Sequence, residues 1–476
     1  MVKRFVQATF VSGLGSVGVA LAGFVRGKVL AVALGPLGLG AVAQMTTLVN
    51  MLASTATLGL GIGATRSIAG AVDPASARVS RVVVWRSAKI IAGGALGLGV
   101  LVALLRRPIA TWTIGVNGDP LLVLLAAAAI PVAAFSPMLV AYYQGKQAVR
   151  TVAVLTATQA AALAVFTVIG VLLLGRVGAV AALPVVYGIV ALWAWRTLRG
   201  APADSVAPDA VRRETRMMLR VGLLSFLVGN SSLLTDYVIR SRMSLTLGVD
   251  QTGLYVAVTS VSNQYLSLLF GGLTNYVFPR VTGLAARREH GAVAHEMRTA
   301  VVGVVGLTVP AILLFILLRD VVVRLLYSGA FSSAAALVPI VGFGDYWRAA
   351  AWAAGVALIP LGMERLWARI ALGAVAVNLV TGLALIRMIG VRGAAVAYAV
   401  MWFVSAVATI MALGRKPELK LDATALQTTI AGALVVGVTS YTASQGMIWP
   451  GAVLLGLWCV AGSRVAFRLW RVSEAV

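Results

Sequence analysis

Seven charged side chains stand inside segments that are otherwise apolar: Arg26 and Lys28, then Asp236, Arg240 and Arg242, then Asp345 and Arg348. A charge in the hydrocarbon core of a membrane is costly, and one that sits there points to function. Here five cations face two anions, a balance that attracts an anion and repels a cation. Arginine adds geometry to charge, because its planar fork contacts phosphate oxygens in pairs. The chemistry these residues offer is therefore recognition of a phosphate-bearing anion.

Spacing leaves a second reading open for some of them. Asp236 and Arg240 are four residues apart, and Asp345 and Arg348 three apart, so each pair shares one helix face. Each acid could simply neutralise its neighbour. Lys28 and Arg242 lie nearer their helix ends, where they could snorkel to the outer headgroups. Arg26 has no acid on its own helix. Arg26 precedes Gly35, and Arg240 precedes Gly248, by about eight residues, and Asp345 lies about ten residues into its segment. At 1.5 Å per residue, all three are expected about 12–15 Å below the outer surface, a depth at which they could meet in one cavity.

Uncharged polar residues extend the pattern. Gln44, Thr47, Asn50 and Ser54 follow helical spacing, as do Ser225, Ser232 and Asp236, and Ser260, Asn263 and Ser267. Each set shares a face and is expected to line a cavity, Gln44, Asn50 and Asn263 foremost. Hydrogen bonding between helices would use the same residue types. Most aromatic residues sit near segment ends, as interface anchors do. Trp347 and Trp352 lie deeper.

Other chemistries are excluded by what is missing. The single Cys459 rules out an internal disulfide framework and a multi-cysteine zinc site. His290 and His295 sit beside Glu289 and Glu296 in a charged loop, which reads as a solvated loop and not a metal site. With no phosphate-binding loop and no dinucleotide fingerprint, ATP-driven transport by this chain alone is not expected. The expectation is a binding and transport protein, not an enzyme, without a cofactor. Coupling to H+ or Na+ is left open.

The elements that position these residues are membrane helices. Of 476 residues 60% are hydrophobic and 11% charged, whereas soluble domains run at about 45–50% and 25%. The fold class expected is all-α and polytopic, with about 14 transmembrane helices, the first near residues 5–33 and the last near 449–467. With the N-terminus inside, about 27 of the 39 basic residues fall in cytoplasmic segments and about 7 outside. That asymmetry puts both termini in the cytoplasm. It also accounts for the net charge of +24 without nucleic acid. Lys3 and Arg4 precede an apolar run that is too long for a signal peptide, so an uncleaved helix is expected.

The halves repeat. An offset of 214 places Arg26 on Arg240 and Arg66 on Arg280, and the stretch from Leu174 to Ala181 resembles that from Ile389 to Val396 at 215. Several matches at nearly one offset indicate duplication. Six spans per unit insert both copies the same way up. The organisation expected is an N-lobe over 1–198, a cytoplasmic linker over 199–217, a C-lobe over 218–414 and two further helices over 415–476.

The run Arg26-Gly-Lys-Val-Leu-Ala-Val-Ala-Leu-Gly-Pro-Leu-Gly-Leu-Gly-Ala-Val-Ala-Gln44, continued by Thr57-Leu-Gly-Leu-Gly-Ile-Gly-Ala-Thr-Arg-Ser-Ile-Ala69, resembles the opening of the Wzx-type polysaccharide flippases. The nearest look is to the WzxE-like O-antigen and lipid III translocases. Leu247-Gly-Val-Asp-Gln-Thr-Gly-Leu-Tyr255 is similar to the same superfamily, which includes the MATE exporters and the MurJ lipid II flippases. The resemblance implies two six-helix lobes around a cavity that opens alternately to each side. It implies an undecaprenyl-diphosphate-linked sugar as substrate, and it maps the family's first-span arginine onto Arg26. The further span-two arginine of the MurJ proteins is missing, and Ala53, Ser54 and Thr55 stand near its place.

On these grounds the chain is expected to be a flippase of the bacterial inner membrane that carries a lipid-linked oligosaccharide to the outer leaflet. The diphosphate is expected near Arg26, Arg240 and Arg348, with Lys28 and Arg242 adding positive potential. Asp236 and Asp345 would hold the arginines or release them on protonation. Gln44, Asn50 and Asn263 would line the cavity. Membrane lipids and polysaccharide polymerase or assembly proteins are the expected partners. The rival readings are a MATE-like exporter of organic cations, a MurJ-like lipid II flippase and an assembly scaffold without transport.

Overall fold

In lipid a backbone amide has no water to bond, so a spanning segment must satisfy its own hydrogen bonds, and the helix does this within one segment. The computed structural model describes residues 2–71, 73–198 and 208–460, and no strand occurs among them. The helices are α1 (Val2–Thr57), α2 (Leu60–Ala69), α3 (Pro74–Leu104), α4 (Arg106–Ile114), α5 (Pro120–Ala133), α6 (Phe135–Gly145), α7 (Val149–Leu198) and α8 (Pro208–Thr246). They continue with α9 (Val249–Ala286), α10 (His290–Leu317), α11 (Arg319–Leu326), α12 (Val338–Gly355), α13 (Glu364–Ile389), α14 (Val391–Gly414) and α15 (Ala423–Ser444). A shorter apolar helix, α16, covers Trp449–Val460.

The chain is a multi-pass membrane protein. Among the described residues nine helical segments are long and apolar enough to cross a membrane. The expected count of about fourteen is not reached by that measure, for identifiable reasons. α1 and α7 each join two helices across a non-helical glycine, Gly35 and Gly175. α12, 18 residues long, carries Asp345 and Arg348 among glycines and aromatic residues, which lower its hydropathy. The last expected span runs past residue 460, beyond the described residues. Leu104, Leu172 and Met388 stand about three-quarters exposed, the surface that lipid would cover.

Two compact units divide the chain, Met1–Val256 and Ala257–Val476. The first unit includes α8 and the start of α9. α8 is held there by close backbone approach, which small residues permit. A methyl group built on Gly222 would lie 2.0 Å from the Gly59 carbonyl oxygen, and one on Gly63 2.5 Å from that of Met218. Of the expected linker, residues 199–207 lie outside the described residues, and 208–217 form the opening turns of α8.

In the second unit α12 packs against α10, α14 and α15. Gly342 lies against Ile312 and Ile316 of α10, and Gly344 against Tyr398 of α14. Gly432 of α15 meets the ring of Tyr346. Tyr346 is fully buried, and its hydroxyl donates to the carbonyl of Thr429.

The sequence match at offset 215 has a structural counterpart. Gly175 (φ 56°, ψ −134°) and Gly390 (φ 64°, ψ −142°) take nearly the same left-handed turn between two helices, a conformation that favours glycine. Three residues on, Gly178 touches the backbone of Gly170 and Gly393 that of Leu385. A methyl group at 178 would fall 1.9 Å from the Gly170 oxygen, and one at 393 would fall 2.3 Å from the Leu385 oxygen. Neither backbone can yield cheaply. Gly178→Ala and Gly393→Ala are each expected to cost about 1–3 kcal/mol, read as a lower thermal unfolding midpoint in detergent. Gly188→Ala, where no atom lies within 4 Å, should leave the midpoint unchanged.

Candidate substrate site

The first unit assembles a cationic site around the second helical half of α1. Thr46 and Thr47 there donate their hydroxyl protons to the carbonyls of Val42 (2.8 Å) and Ala43 (2.9 Å), four residues back. Their oxygen lone pairs are left to accept. Arg26 donates through Nη2 to Thr46 Oγ1 at 3.4 Å and through Nε to Thr167 Oγ1 of α7 at 3.2 Å. Arg240 of α8 donates through Nη1 to Thr47 Oγ1 at 3.4 Å. Two guanidinium groups from different helices thus rest on consecutive threonines. A guanidinium has five N–H donors, so each keeps donors that these threonines do not use.

Asp236 lies 3.6 Å from Arg240, an i,i+4 ion pair with the carboxylate half exposed and the guanidinium mostly covered. The Nε of Arg240 is buried without a hydrogen-bond partner. Two cations and one acid leave the cluster net positive. Arg26 is half-buried, Lys28 is exposed and Arg242 is half-buried.

The polar stripe on α1 divides into two roles. Gln44 is a correction to the cavity reading. It is completely buried, and its Nε2 donates to Ser241 Oγ at 3.0 Å and to the Thr113 carbonyl at 3.5 Å. A buried amide seeks partners; the Nε2 of this one finds them on α8 and α4 and so fastens helices, while its Oε1 is buried without a partner. Asn50 is exposed and accepts a hydrogen bond from the Tyr187 hydroxyl of α7 at 3.1 Å.

The second unit holds a different cluster. Asp345 is completely buried. Its Oδ1 accepts from Ser262 Oγ at 2.6 Å and from the Tyr398 hydroxyl at 2.8 Å, and its Oδ2 accepts from the Tyr265 hydroxyl. The expected Asp345–Arg348 ion pair does not form directly. Arg348 Nη1 donates instead to Asn263 Oδ1 at 2.6 Å and to the Tyr398 hydroxyl at 3.4 Å, and its guanidinium lies 5.4 Å from the Trp402 ring centroid. Tyr398 therefore stands between acid and base. Asn263 is exposed.

Sequence reasoning missed Thr46, Thr167, Tyr187, Ser262, Tyr265, Tyr398 and Trp402. A signal existed for the tyrosines. A phenol inside a long apolar run needs a hydroxyl partner, and both Tyr265 and Tyr398 found the same carboxylate. Among the described residues no group of three or more His, Cys, Asp or Glu could hold a metal.

An all-helical, multi-pass chain of this layout has the fold of polytopic membrane transporters. The inward closed conformation of lipid II flippase MurJ superposes with a TM-score of 0.73 at 11% identity, covering 98% of this chain and 99% of that one. An inward-facing multidrug resistance MATE family transporter of the MOP superfamily gives 0.64 at 15% identity over 90% and 99%. Within that fold class, the chain belongs to the polysaccharide biosynthesis protein family, whose profile matches residues 5–284. It is also similar to the lipid III flippase of Escherichia coli (strain K12), 25% identical over 393 residues, which make up 80% of this chain and 92% of that protein.

Proposed function

We propose that this chain is a flippase for an undecaprenyl-diphosphate-linked oligosaccharide, moving it from the cytoplasmic to the outer leaflet of the bacterial inner membrane, with both chain termini cytoplasmic. The observation that carries the reading is the pair of guanidinium groups, Arg26 and Arg240, resting on Thr46 and Thr47 with one acid beside them. A diphosphate suits such a pair, because charge-assisted bonds to phosphate oxygens are strong and directional. The family membership and the lipid III flippases among its relatives support the same substrate class. An anion bound more tightly in one conformation than in the other would shift the equilibrium between them, which is what alternating access requires. Polysaccharide polymerase and assembly proteins would receive the product.

The cation-exporter reading would place an uncompensated acid at this position. Reconstitution into proteoliposomes separates the two. A lipid-linked oligosaccharide loaded in the inner leaflet should become accessible to an external glycan-modifying reagent faster than in protein-free vesicles. No acceleration, together with uptake of tetraphenylphosphonium, would overturn the flippase reading.

A further inference from the structure

Beyond Thr46 and Thr47, the same helix carries a second set of polar contacts that the phosphate reading does not use. Asn50 lies three residues past Thr47 and is exposed; Ser54 and Thr55 follow at the next turn and are half-buried. Partners reach this line from both neighbouring helices. From α7 the Tyr187 hydroxyl donates to Asn50 Oδ1 at 3.1 Å. From α8 Asn230 Nδ2 donates to Thr55 Oγ1 at 3.1 Å, while the Thr55 hydroxyl donates to the Met51 carbonyl at 2.8 Å. Thr47, Asn50 and Ser54, three and four residues apart, share one helix face, and Thr55 sits about 100° further round than Ser54, where Asn230 of α8 reaches it. From Thr47 to Thr55 it spans about 12 Å.

Burial and chemistry both distinguish this line from a helix fastener. Gln44, one turn the other way, is fully covered. Asn50, in contrast, is exposed within a span-length helix, where hydrocarbon would leave its amide unsatisfied. Among the described residues Asn50 is hydrogen-bonded through Oδ1 alone, and Asn230 Oδ1 lies 3.3 Å from Thr55 Oγ1, whose hydroxyl proton the Met51 carbonyl takes at 2.8 Å. The line is also uncharged from Asn50 to Thr55. Amides and hydroxyls match the hydroxyl and acetamido groups of sugars as guanidinium groups match phosphate.

We infer that Asn50, Tyr187, Asn230 and Thr55 form a sugar-reading ladder, on which the first sugars of the lipid-linked glycan lie between the guanidinium pair and the Thr57 end of α1. The inference rests on the proposed flippase function and adds a direction to it. The diphosphate is held at Thr46 and Thr47, the sugars extend toward Thr57, and the prenyl chain leaves the other way.

The test compares two probes on the purified full-length chain: undecaprenyl diphosphate, and the same lipid carrying a neutral disaccharide. Wild type should prefer the glycosylated lipid. In an Asn50→Ala/Asn230→Ala double variant that preference should fall about tenfold, the worth of one to two lost hydrogen bonds. Tyr187→Phe should lower it less, since the ring stays and only the hydroxyl that orients Asn50 goes. Binding of the bare lipid serves as the check that the variants are folded. Equal loss of both probes in the double variant, or an unchanged preference, would overturn the ladder. Wild type that binds both lipids equally would overturn it too and leave the phosphate site standing. Wild type that binds neither would sink the flippase reading and the ladder together.

Discussion

Replacing Arg26 and Arg240 together by alanine is expected to weaken binding of undecaprenyl diphosphate by about a hundredfold or more. A hydrogen bond to a charged group contributes about 1.5–3 kcal/mol, and two guanidinium groups bring at least one each. The sum of about 3 kcal/mol is about a hundredfold in affinity. Each single substitution should cost about tenfold, because the other guanidinium stays on its threonine. Arg26→Lys and Arg240→Lys should recover part of the loss, since an ammonium keeps the charge but not the planar fork. The Asp236→Asn variant should bind more tightly than wild type, because it removes the acid that competes for Arg240 at 3.6 Å. Titration of the purified chain with the lipid in detergent measures all of these. A double variant that binds within threefold of wild type would remove the arginines from the site.

How much of this was legible follows from what each signal depends on. Hydropathy and the basic-loop asymmetry depend on composition alone, and they identified an all-helical membrane chain. The Leu174 and Ile389 runs were visible as a repeat because the turn demands glycine at fixed places: Gly175 and Gly390 for the left-handed backbone, Gly178 and Gly393 for the backbone contact. Arg26 and Arg240 stood out because arginine inside an apolar run is expensive. Helical spacing alone could not separate Gln44 from Asn50. Both lie on one face of α1, but Gln44 meets α8 and α4 whereas Asn50 remains exposed, and which neighbour covers a turn is a tertiary fact. The hydroxyl partners were harder still. Thr167 and Thr46 lie 121 residues apart in sequence yet serve the same guanidinium, and no local pattern announces that. For Asp345 the i,i+3 spacing suggested Arg348 as its partner, but three hydroxyl groups from α9 and α14 took that place.

That arrangement sets the second large effect. Asp345→Ala is expected to be the most destabilising single substitution in the second unit, at about 3–5 kcal/mol. Removing the carboxylate leaves the hydroxyl groups of Ser262, Tyr265 and Tyr398 facing a dry cavity without an acceptor, and each orphaned donor costs about 1–3 kcal/mol. It also releases three helices at once, since those hydroxyl groups tie α9 and α14 to α12. Asp345→Asn should cost about half as much. Its amide oxygen can still accept, but its NH2 meets a donor and forces one hydroxyl to turn. Tyr398→Phe removes one of the three bonds and the link to Arg348, and should fall at about 1–2 kcal/mol. Thermal unfolding midpoints in one detergent order the three variants. The cluster holds the unit together if Ala lies below Asn and Asn below wild type. If Asp345→Ala unfolds with wild type, the carboxylate is not what joins these helices, and Tyr346, whose hydroxyl bonds α15 from the next position on α12, becomes the principal tie.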